Sequence, residues 1–179
     1  ALAPGGVDAA RGVPRPPRAG VGAFADCRHG LDAVPGMVEA LQDAVVGGGS
    51  PFLGICVGMQ WLYEGSEEAP EVPGIGLVEG RCRLLRGDAA ERLKVPHVGW
   101  NALDTARDSR LLKGIPPGAH VYFTHSYAAP VTGDCVAATT HAEPFASAVE
   151  RGHVFGVQFH PEKSGDTGLQ ILRNFLELA

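Results

Sequence analysis

Hydrophobic and polar positions repeat with different periods along the chain, and each period predicts a helix or a strand. Between residues 31 and 46, four apolar side chains recur at helical spacing: Val34, Val38, Leu41 and Val45. Pro35 fits the first turn of this predicted helix, where its missing N–H costs little. The glycine-rich run 47–51 ends the helix, because glycine tolerates the left-handed conformation of a C-cap.

Shorter apolar runs predict strands that alternate with helices. The pattern predicts a short buried strand over residues 51–55 and a helix over residues 57–65. Weaker alternation predicts further strands within 75–85, 120–127 and 153–160. Because the predicted strands and helices interleave, the pattern favours an α/β fold.

The closing segment, residues 167–178, has the pattern of an amphipathic helix. Leu169, Leu172 and Leu176 lie on one face of it, with Phe175 beside them. The spacing therefore predicts a closing helix whose apolar face is made of these leucines.

Composition and charge exclude several classes of function. The chain has 179 residues, of which 45% are hydrophobic and 20% charged, as in a single globular domain. Its net charge of −5 argues against non-specific nucleic-acid binding. No apolar run reaches the roughly 18–20 residues of a membrane span, and no signal peptide is evident. We therefore expect a cytoplasmic protein with no membrane association.

The cysteines are widely spaced along the chain, at Cys27, Cys56, Cys82 and Cys135. None of them forms a CxxC pair, which argues against a zinc site or a thioredoxin-like site. We expect a reducing compartment, and structural thiols at all of these positions except Cys56.

The heptad GICVGMQ, residues 54–60, places a cysteine between two glycines where the predicted strand meets the predicted helix. This arrangement is typical of a nucleophile elbow, in which Gly54 and Gly58 leave room for a tightly packed turn. Free N–H groups at the start of the helix would favour the thiolate of Cys56, and the Val57 N–H could bind an oxyanion. The alternative is a buried cysteine in an ordinary strand–helix turn.

A base for this nucleophile is offered by GVQFHPEKS, residues 156–164. An apolar strand ends at His160, and Glu162 lies two residues on, where its carboxylate can orient the imidazole. Cys56, His160 and Glu162 would then form a triad at the carboxyl edge of a parallel sheet. The alternative for this segment is a surface histidine beside a solvated glutamate.

Together, PFLGICVGMQ and GVQFHPEKS resemble the class I, triad-dependent glutamine amidotransferases. Three further stretches resemble the glutaminase subunits of imidazole glycerol phosphate synthase: AGVGAFADC (19–27), KVPHVGWN (94–101) and YFTHSYAA (122–129). The resemblance implies a flavodoxin-like α/β fold with a central, mostly parallel sheet.

The resemblance also implies a reaction. Cys56 would attack the side-chain amide of glutamine to form a glutamyl thioester, and His160 would protonate the leaving ammonia and then activate water. The ammonia would pass to a cyclase subunit in a heterodimer that makes imidazole glycerol phosphate and aminoimidazole carboxamide ribotide in histidine biosynthesis. No metal or organic cofactor is implied. The alternatives are another class I amidotransferase or cysteine hydrolase, or a non-catalytic remnant that only binds the cyclase.

Further substrate contacts follow from the resemblance. Gln60 lies one helical turn after Cys56 and would bind the head group of glutamine. Glu68 would hold the α-amino group, and Ser126 and Tyr127 would line the carboxylate end, mostly through backbone atoms. The alternatives are a solvated acidic run around Glu68 and a plain core strand at 120–127.

The resemblance assigns the glycine-rich loop near the start of the match to the same site. Gly20 would contact the substrate, and the backbone of Val21 and Gly22 would complete the oxyanion hole with Val57. Without the resemblance, such glycines would be assigned to an ordinary loop.

The stretch PHVGWN predicts an interface, because an exposed tryptophan with proline and glycine is typical of interface hot spots. The resemblance places this stretch against the cyclase, and the predicted contact residues are Pro96, Val98, Trp100, Asn101 and Lys163. The alternative is that Trp100 belongs to the core.

Residues 1–18 depart from the resemblance, which starts at Ala19, where the family has proline. They have no apolar period and are predicted to be an atypical, disordered segment, whereas residues 19–179 are predicted to form a single amidotransferase domain. Family members open with a buried strand that residues 1–18 do not supply. We hypothesise that residues 1–18 derive from a misassigned start or a frameshift, and we expect loss of that strand to weaken the fold.

Overall fold

The computed structural model describes residues 24–47, 49–88, 90, 93–105 and 107–178. Its α-helices are α1 (Phe24–Asp32), α2 (Met37–Gln42), α3 (Val57–Gln60) and α4 (Gly165–Leu178), with a π-helical turn (Asp43–Gly47) and a 3-10 turn (Pro161–Lys163). Its strands are β1 (Phe52–Ile55), β2 (Gly65–Ser66), β3 (Ala69–Pro73), β4 (Arg81–Leu84), β5 (His97–Ala102), β6 (Asp104–Thr105), β7 (His120–His125), β8 (Tyr127–Ala128), β9 (Cys135–His141), β10 (Glu143–Arg151) and β11 (Val154–Val157).

The central sheet has five strands in the order β1-β11-β10-β9-β6. Strands β1 and β11 are parallel, while β11, β10, β9 and β6 pair in antiparallel fashion. A four-stranded sheet (β3-β2-β4-β8) and the β5–β7 hairpin-like pair complete the architecture. The predicted α/β class is confirmed, but within the described residues the central sheet is mixed rather than mostly parallel. The predicted lack of an N-terminal strand concerns residues outside the described part of the chain.

Strands β1 and β11 lie directly under α3 because both carry glycine at the crossing point. Gly54 pairs with Gly156 across the two strands. A Cβ on Gly54 would lie 2.5 Å from the carbonyl oxygen of Gly58, and one on Gly156 would lie 2.8 Å from Cγ of Met59. The absence of side chains here lets the short helix that follows Cys56 pack tightly on the sheet.

The single helix predicted over residues 31–46 is wrong in detail. Helix α1 starts before this segment and ends at Asp32, and α2 begins only after Gly36, which has φ of 75°. Pro35 and Gly36 therefore interrupt the apolar repeat. As a result Val34 is exposed, whereas Val38 and Val45 are buried as predicted.

Other predicted elements are present but shorter. The predicted helix over 57–65 is a single turn, and the strand predicted within 75–85 is confined to β4. Gly76 and Gly80 adopt positive φ angles of 71° and 98°, which break the extended conformation before β4 begins. The predicted strands at 51–55, 120–127 and 153–160 correspond to β1, β7 with β8, and β11.

Helix α4 is present as predicted, but its buried face differs from the predicted leucine face. Gly168, Ile171 and Asn174 are buried, whereas Leu169 and Leu176 are 48% and 71% exposed. A Cβ on Gly168 would lie 1.9 Å from the Pro161 carbonyl oxygen, so this side must face the 3-10 turn.

Asn174 is a polar residue on the buried side of α4, and the hydrogen bonds of its amide explain why it can be buried there. Its Nδ2 donates hydrogen bonds to the carbonyl oxygens of Leu111 and Lys113, both at 2.8 Å. Burial of this amide therefore carries no unsatisfied donor. In the described ranges, none of the helices is long and apolar enough to cross a membrane.

Candidate active site

Cys56 occupies a sharp turn between β1 and α3. Its N–H donates to the Val157 carbonyl oxygen at 2.8 Å, and its own carbonyl accepts from the N–H groups of Met59 and Gln60. The residue thus ends the β1–β11 ladder and opens the helix. Its φ of 53° and ψ of −111° are strained for a residue other than glycine. The predicted sharp elbow between strand and helix is present in the structure, and the role of Cys56 as its nucleophile stays a prediction.

The two glycines of the elbow have different roles. The close approach to the Gly58 carbonyl explains Gly54, as predicted. At Gly58, by contrast, an added Cβ would meet no atom of the described residues within 4 Å. Among the described residues, therefore, no packing contact requires glycine at position 58, unlike at position 54.

Burial raises the pKa of the Cys56 thiol above its ordinary value, although a hydrogen bond from the Val57 N–H acts in the opposite direction. The negative charges of Glu162 and Glu68 raise this pKa further, and Lys163 lowers it. The Val57 N–H at the helix start thus acts as predicted, in favour of the thiolate, but desolvation of the buried sulfur outweighs its effect on the pKa. Cys56 rests as a thiol and requires a base.

His160 has the tautomer that a base requires. Its Nδ1 lies 2.7 Å from Oε1 of Glu162, and because a carboxylate only accepts, Nδ1 carries the proton. In the neutral imidazole Nε2 then presents a lone pair, and this atom is buried with no hydrogen-bond partner within the described part of the chain. Burial opposes ionisation of Glu162, but the hydrogen bond from His160 and nearby charges lower the Glu162 pKa overall.

Strand β7 holds His160 in place. The His160 N–H donates to the Tyr122 carbonyl oxygen at 2.9 Å. The Ser164 hydroxyl donates to the His160 carbonyl at 2.6 Å and accepts from the Tyr122 N–H at 2.9 Å. These bonds fix the backbone on both sides of the imidazole.

The predicted substrate residues lie near Cys56 but already have internal partners. Gln60 is 4% exposed, and its Nε2 donates to the Tyr127 carbonyl oxygen at 2.9 Å and to Oε1 of Gln158 at 3.0 Å. Oε2 of Glu68 accepts from the Phe24 N–H at 3.1 Å. Their contacts with substrate stay predictions.

Glu68 is distinct from the acidic residues around it. Glu64, Glu67 and Glu71 are exposed, whereas Glu68 is partly buried and close enough for its charge to act on Cys56. This position favours the functional interpretation over that of a solvated acidic run.

Ser126 and Tyr127 follow β7 and are both half-buried. The Ser126 carbonyl accepts from the Leu85 N–H at 2.8 Å, and Tyr127 begins β8. The predicted oxyanion loop, Gly20 to Gly22, lies outside the described residues, and its role stays a prediction.

An exposed apolar surface adjoins His160 and is here called the β5–β7 surface: Pro96, Val98, Trp100, Tyr122 and Lys163. Val98 and Trp100 are each 56% exposed, so the alternative that Trp100 is a core residue is wrong. The Trp100 ring meets the Tyr122 ring edge-on at 6.1 Å between centroids, and Nζ of Lys163 lies 5.8 Å from the centre of the Tyr122 ring.

Asn101 is half-buried and has partners within the chain, and its predicted contact with the cyclase stays a prediction. Its Nδ2 lies 3.4 Å from Nε2 of His97 and 3.1 Å from the Thr140 carbonyl oxygen, and its Oδ1 accepts from the Ala102 N–H. Both ends of the amide are therefore engaged within the chain. Alternation along β5 directs Val98 and Trp100 outward and His97 inward.

Sequence reasoning missed three residues that the structure brings to this site. Gln158 is fully buried, and its Nε2 donates to Sγ of Cys56 at 3.7 Å. Nδ1 of His125 lies 2.9 Å from the Tyr127 carbonyl oxygen. The ring of Tyr122 contacts Trp100 within the β5–β7 surface. A signal for Gln158 was available, because an amide within the apolar run VFGVQF must find buried partners.

The described ranges contain no group of three or more His, Cys, Asp or Glu side chains placed to hold a metal ion. The groups that the site offers are the thiol, the imidazole, the carboxylate and the surrounding amides.

Comparison with known proteins agrees with this geometry. The family model for class-I glutamine amidotransferases matches residues 19–179. The HisH subunit of imidazole glycerol phosphate synthase from Rhodospirillum rubrum is 45% identical over 97% of this chain and 82% of that protein. The HisH subunit from Caulobacter vibrioides is 48% identical over 88% of this chain and 74% of that protein.

Solved structures show the same fold at lower identity. A crystal structure of a glutamine amidotransferase is 22% identical with a TM-score of 0.58, covering 87% of this chain and 71% of that one. A glutamine amidotransferase from Thermotoga maritima is 18% identical with a TM-score of 0.53, covering 88% of this chain and 59% of that one. With the match over residues 19–179 and these HisH relatives, the chain belongs to the class I glutamine amidotransferase family, among the subunits of imidazole glycerol phosphate synthase.

Proposed function

We propose that residues 19–179 act as one domain that hydrolyses glutamine through Cys56, His160 and Glu162 and supplies ammonia to a cyclase subunit. The observation that carries this proposal is a buried thiol on a strained elbow at the end of β1, together with an imidazole that follows the neighbouring parallel strand β11 and whose Nε2 has no hydrogen-bond partner among the described residues. Relatives that are named subunits of imidazole glycerol phosphate synthase support the assignment to histidine biosynthesis.

The first half of the reaction forms a thioester. His160 Nε2 takes the thiol proton of Cys56 as the sulfur attacks the side-chain amide carbon of glutamine. The Val57 N–H, with the backbone of Val21 and Gly22, stabilises the oxyanion. When the C–N bond breaks, the imidazolium returns its proton to the nitrogen, and ammonia leaves.

The second half of the reaction releases glutamate. His160 Nε2 removes a proton from water as the oxygen attacks the thioester carbon, and the C–S bond then breaks with the proton returned to sulfur. Glu162 stabilises the imidazolium in both halves through its hydrogen bond to Nδ1. The lowered pKa of Glu162 keeps this carboxylate ionised at neutral pH.

The substrate is bound by groups around the elbow. We assign the glutamine head group to Gln60, the α-amino group to Glu68 and the carboxylate end to the backbone of Ser126 and Tyr127. A further substrate contact is assigned to Gly20. The effect of the Glu68 charge on Cys56 supports its place beside the substrate.

The β5–β7 surface is the proposed contact with the cyclase. Exposed aromatic and aliphatic side chains with a nearby cation are typical of an interface core. The hydrogen bond from the His160 N–H to the Tyr122 carbonyl connects this surface to the proposed base, which supports placing the cyclase on this side of the active site. The products of the assembled enzyme would be imidazole glycerol phosphate and aminoimidazole carboxamide ribotide.

Glutamate release by the purified chain tests this function. We would measure it with the chain alone and with a cognate cyclase and its nucleotide ligand, using Cys56→Ala as the control. Release that rises with the cyclase and disappears in Cys56→Ala is the expected result. Release that is insensitive to the cyclase would indicate another amidotransferase or a hydrolase. No release from a folded, cyclase-bound chain would identify a non-catalytic binding subunit.

A further inference from the structure

A continuous chain of polar groups lies buried behind Cys56. It runs from Sγ of Cys56 to Gln158, from Gln158 to Gln60, and from Gln60 to the Tyr127 carbonyl oxygen. On the other side of that carbonyl, Nδ1 of His125 lies 2.9 Å away. Nε2 of His125 then lies 3.0 Å from Nδ1 of His97, on β5.

The direction of every hydrogen bond in this chain is determined. A carbonyl oxygen only accepts, so His125 carries its proton on Nδ1 and presents a lone pair at Nε2. His97 must then donate from Nδ1, which leaves its Nε2 to accept from the amide of Asn101. The Tyr127 carbonyl oxygen thus accepts one hydrogen bond from His125 and one from Gln60.

The two histidines keep this direction at neutral pH. Burial, with the neighbouring His125 and His141, lowers the pKa of His97 to about 3. Burial also lowers the pKa of His125 to about 4, although the bond to the Tyr127 carbonyl favours its charged form. Both imidazoles are neutral at pH 7, and neither can reverse its donor and acceptor atoms by taking a second proton.

We propose that Gln158 is a positioning residue for the Cys56 sulfur, and that His125 holds Gln158 in its orientation through the Tyr127 carbonyl and Gln60. With Oε1 of Gln158 anchored by Gln60, the Nε2 of Gln158 is directed at the sulfur. One amide hydrogen aimed at sulfur favours the thiolate that attacks glutamine, against the effect of burial. The inference rests on the proposed function, because Cys56 is the nucleophile it serves.

The position of this chain also relates the active site to β5. His97 lies on the inner side of β5, while Val98 and Trp100 lie on its outer side within the β5–β7 surface. Strand β5 is thus connected to Cys56 through four side chains and one carbonyl.

The experiment compares Gln158→Met, which keeps the volume but removes the amide, with His125→Leu and His125→Asn. Asparagine can still donate to the Tyr127 carbonyl because its Nδ2 takes the place of His Nδ1, so His125→Asn is the rescue variant. Asn174→Leu is the matched control, since Asn174 is also a buried amide with two carbonyl acceptors but lies outside the chain.

Two readouts separate positioning from general stability. The first is the pH dependence of Cys56 alkylation by iodoacetamide, followed by mass spectrometry of the peptide that contains Cys56. The second is kcat and KM for glutamine in the complex with the cyclase. Thermal melting of each variant reports the structural cost alone.

We expect Gln158→Met to lower kcat about tenfold with KM within about twofold, and to raise the alkylation midpoint by roughly half a pH unit. His125→Leu should move both readouts in the same direction by less, and His125→Asn should restore them. Asn174→Leu should lower the melting temperature without moving either readout.

Unchanged kcat and alkylation midpoint in Gln158→Met would overturn the proposal and reduce the amide to core packing. If Gln158→Met does not fold, the two His125 variants provide the test. Equal kcat values and equal alkylation midpoints for His125→Leu and His125→Asn would overturn the proposal. If even the wild-type chain releases no glutamate, the proposed function fails, and the alkylation midpoints still judge the positioning role separately.

Discussion

The elbow around Cys56 and the β5–β7 surface are neighbours that are built in opposite ways. At the elbow, the backbone of Gly58 fills the space where a side chain of residue 54 would lie. The backbone of Cys56 is strained, and its sulfur is buried. On the β5–β7 surface, Val98 and Trp100 stand more than half exposed beside His160. Tight packing thus surrounds the proposed nucleophile, Cys56. Exposed apolar side chains, by contrast, form the proposed contact with the cyclase.

The largest expected effect is that of His160→Gln, which tests the proposed catalytic role of the region around Cys56. Because Cys56 rests as a thiol, loss of the base should lower cyclase-stimulated glutamate release by about 10³–10⁴-fold. Initial rates with saturating glutamine, at equal fractions of folded protein, measure this effect. A loss of less than about tenfold would show that the thiolate forms without His160.

The packing of the elbow can be tested with two matched glycine variants. Gly54→Ala drives a methyl group into the Gly58 backbone and should lower the free energy of unfolding by about 2–4 kcal/mol. Gly58→Ala adds the same methyl group to open space and should change it by less than about 1 kcal/mol. Urea unfolding of both variants measures the difference. Equal destabilisation would contradict the unequal roles assigned to the two glycines.

On the β5–β7 surface, Trp100→Ala should act on binding instead of folding. A half-exposed tryptophan in a hot spot contributes about 2 kcal/mol, so affinity for the cyclase should fall about 30-fold. Calorimetric titration with the cyclase measures this loss. Leu176→Ala, on the exposed side of α4, is the control and should leave the affinity unchanged. Similar affinity losses in both variants would remove the β5–β7 surface as the interface.

The smallest effect concerns the histidines that lie between the two regions. Their folded-state pKa values, about 3 for His97 and about 4 for His125, lie below the ordinary value of 6.5. The unfolded chain therefore binds more protons as the pH falls below about 6.5, and the folded state loses stability until the pH passes the folded pKa values.

Urea unfolding at pH 7 and pH 5 checks this prediction, since most carboxylates remain ionised over that range. The wild-type chain should lose about 1–3 kcal/mol more than His97→Asn, which keeps a donor towards His125 but does not titrate. Equal losses in the two proteins would show that His97 does not carry the pH dependence.

Much of the catalytic region could be predicted from local sequence. The elbow depends on consecutive residues from Gly54 to Gly58, and the pairing of His160 with Glu162 depends on a separation of two residues. Both are contacts between near neighbours in the chain. The exposure of Trp100 was predictable as well, because of the residue types around it.

The errors came from contacts between distant residues. The net upward shift of the Cys56 pKa depends on burial by the whole fold, which no local pattern contains. The buried face of α4 follows from the approach of Gly168 to Pro161 and from acceptors at Leu111 and Lys113. No periodicity within the helix contains that information.

The raised pKa of Cys56 has a chemical consequence beyond catalysis. Peroxides and electrophiles attack the thiolate far faster than the thiol, so a sulfur that rests protonated is spared oxidation to sulfenic acid. In the proposed mechanism the reactive form arises when His160 removes the proton. The same burial that makes the nucleophile dependent on a base therefore protects it chemically between turnovers.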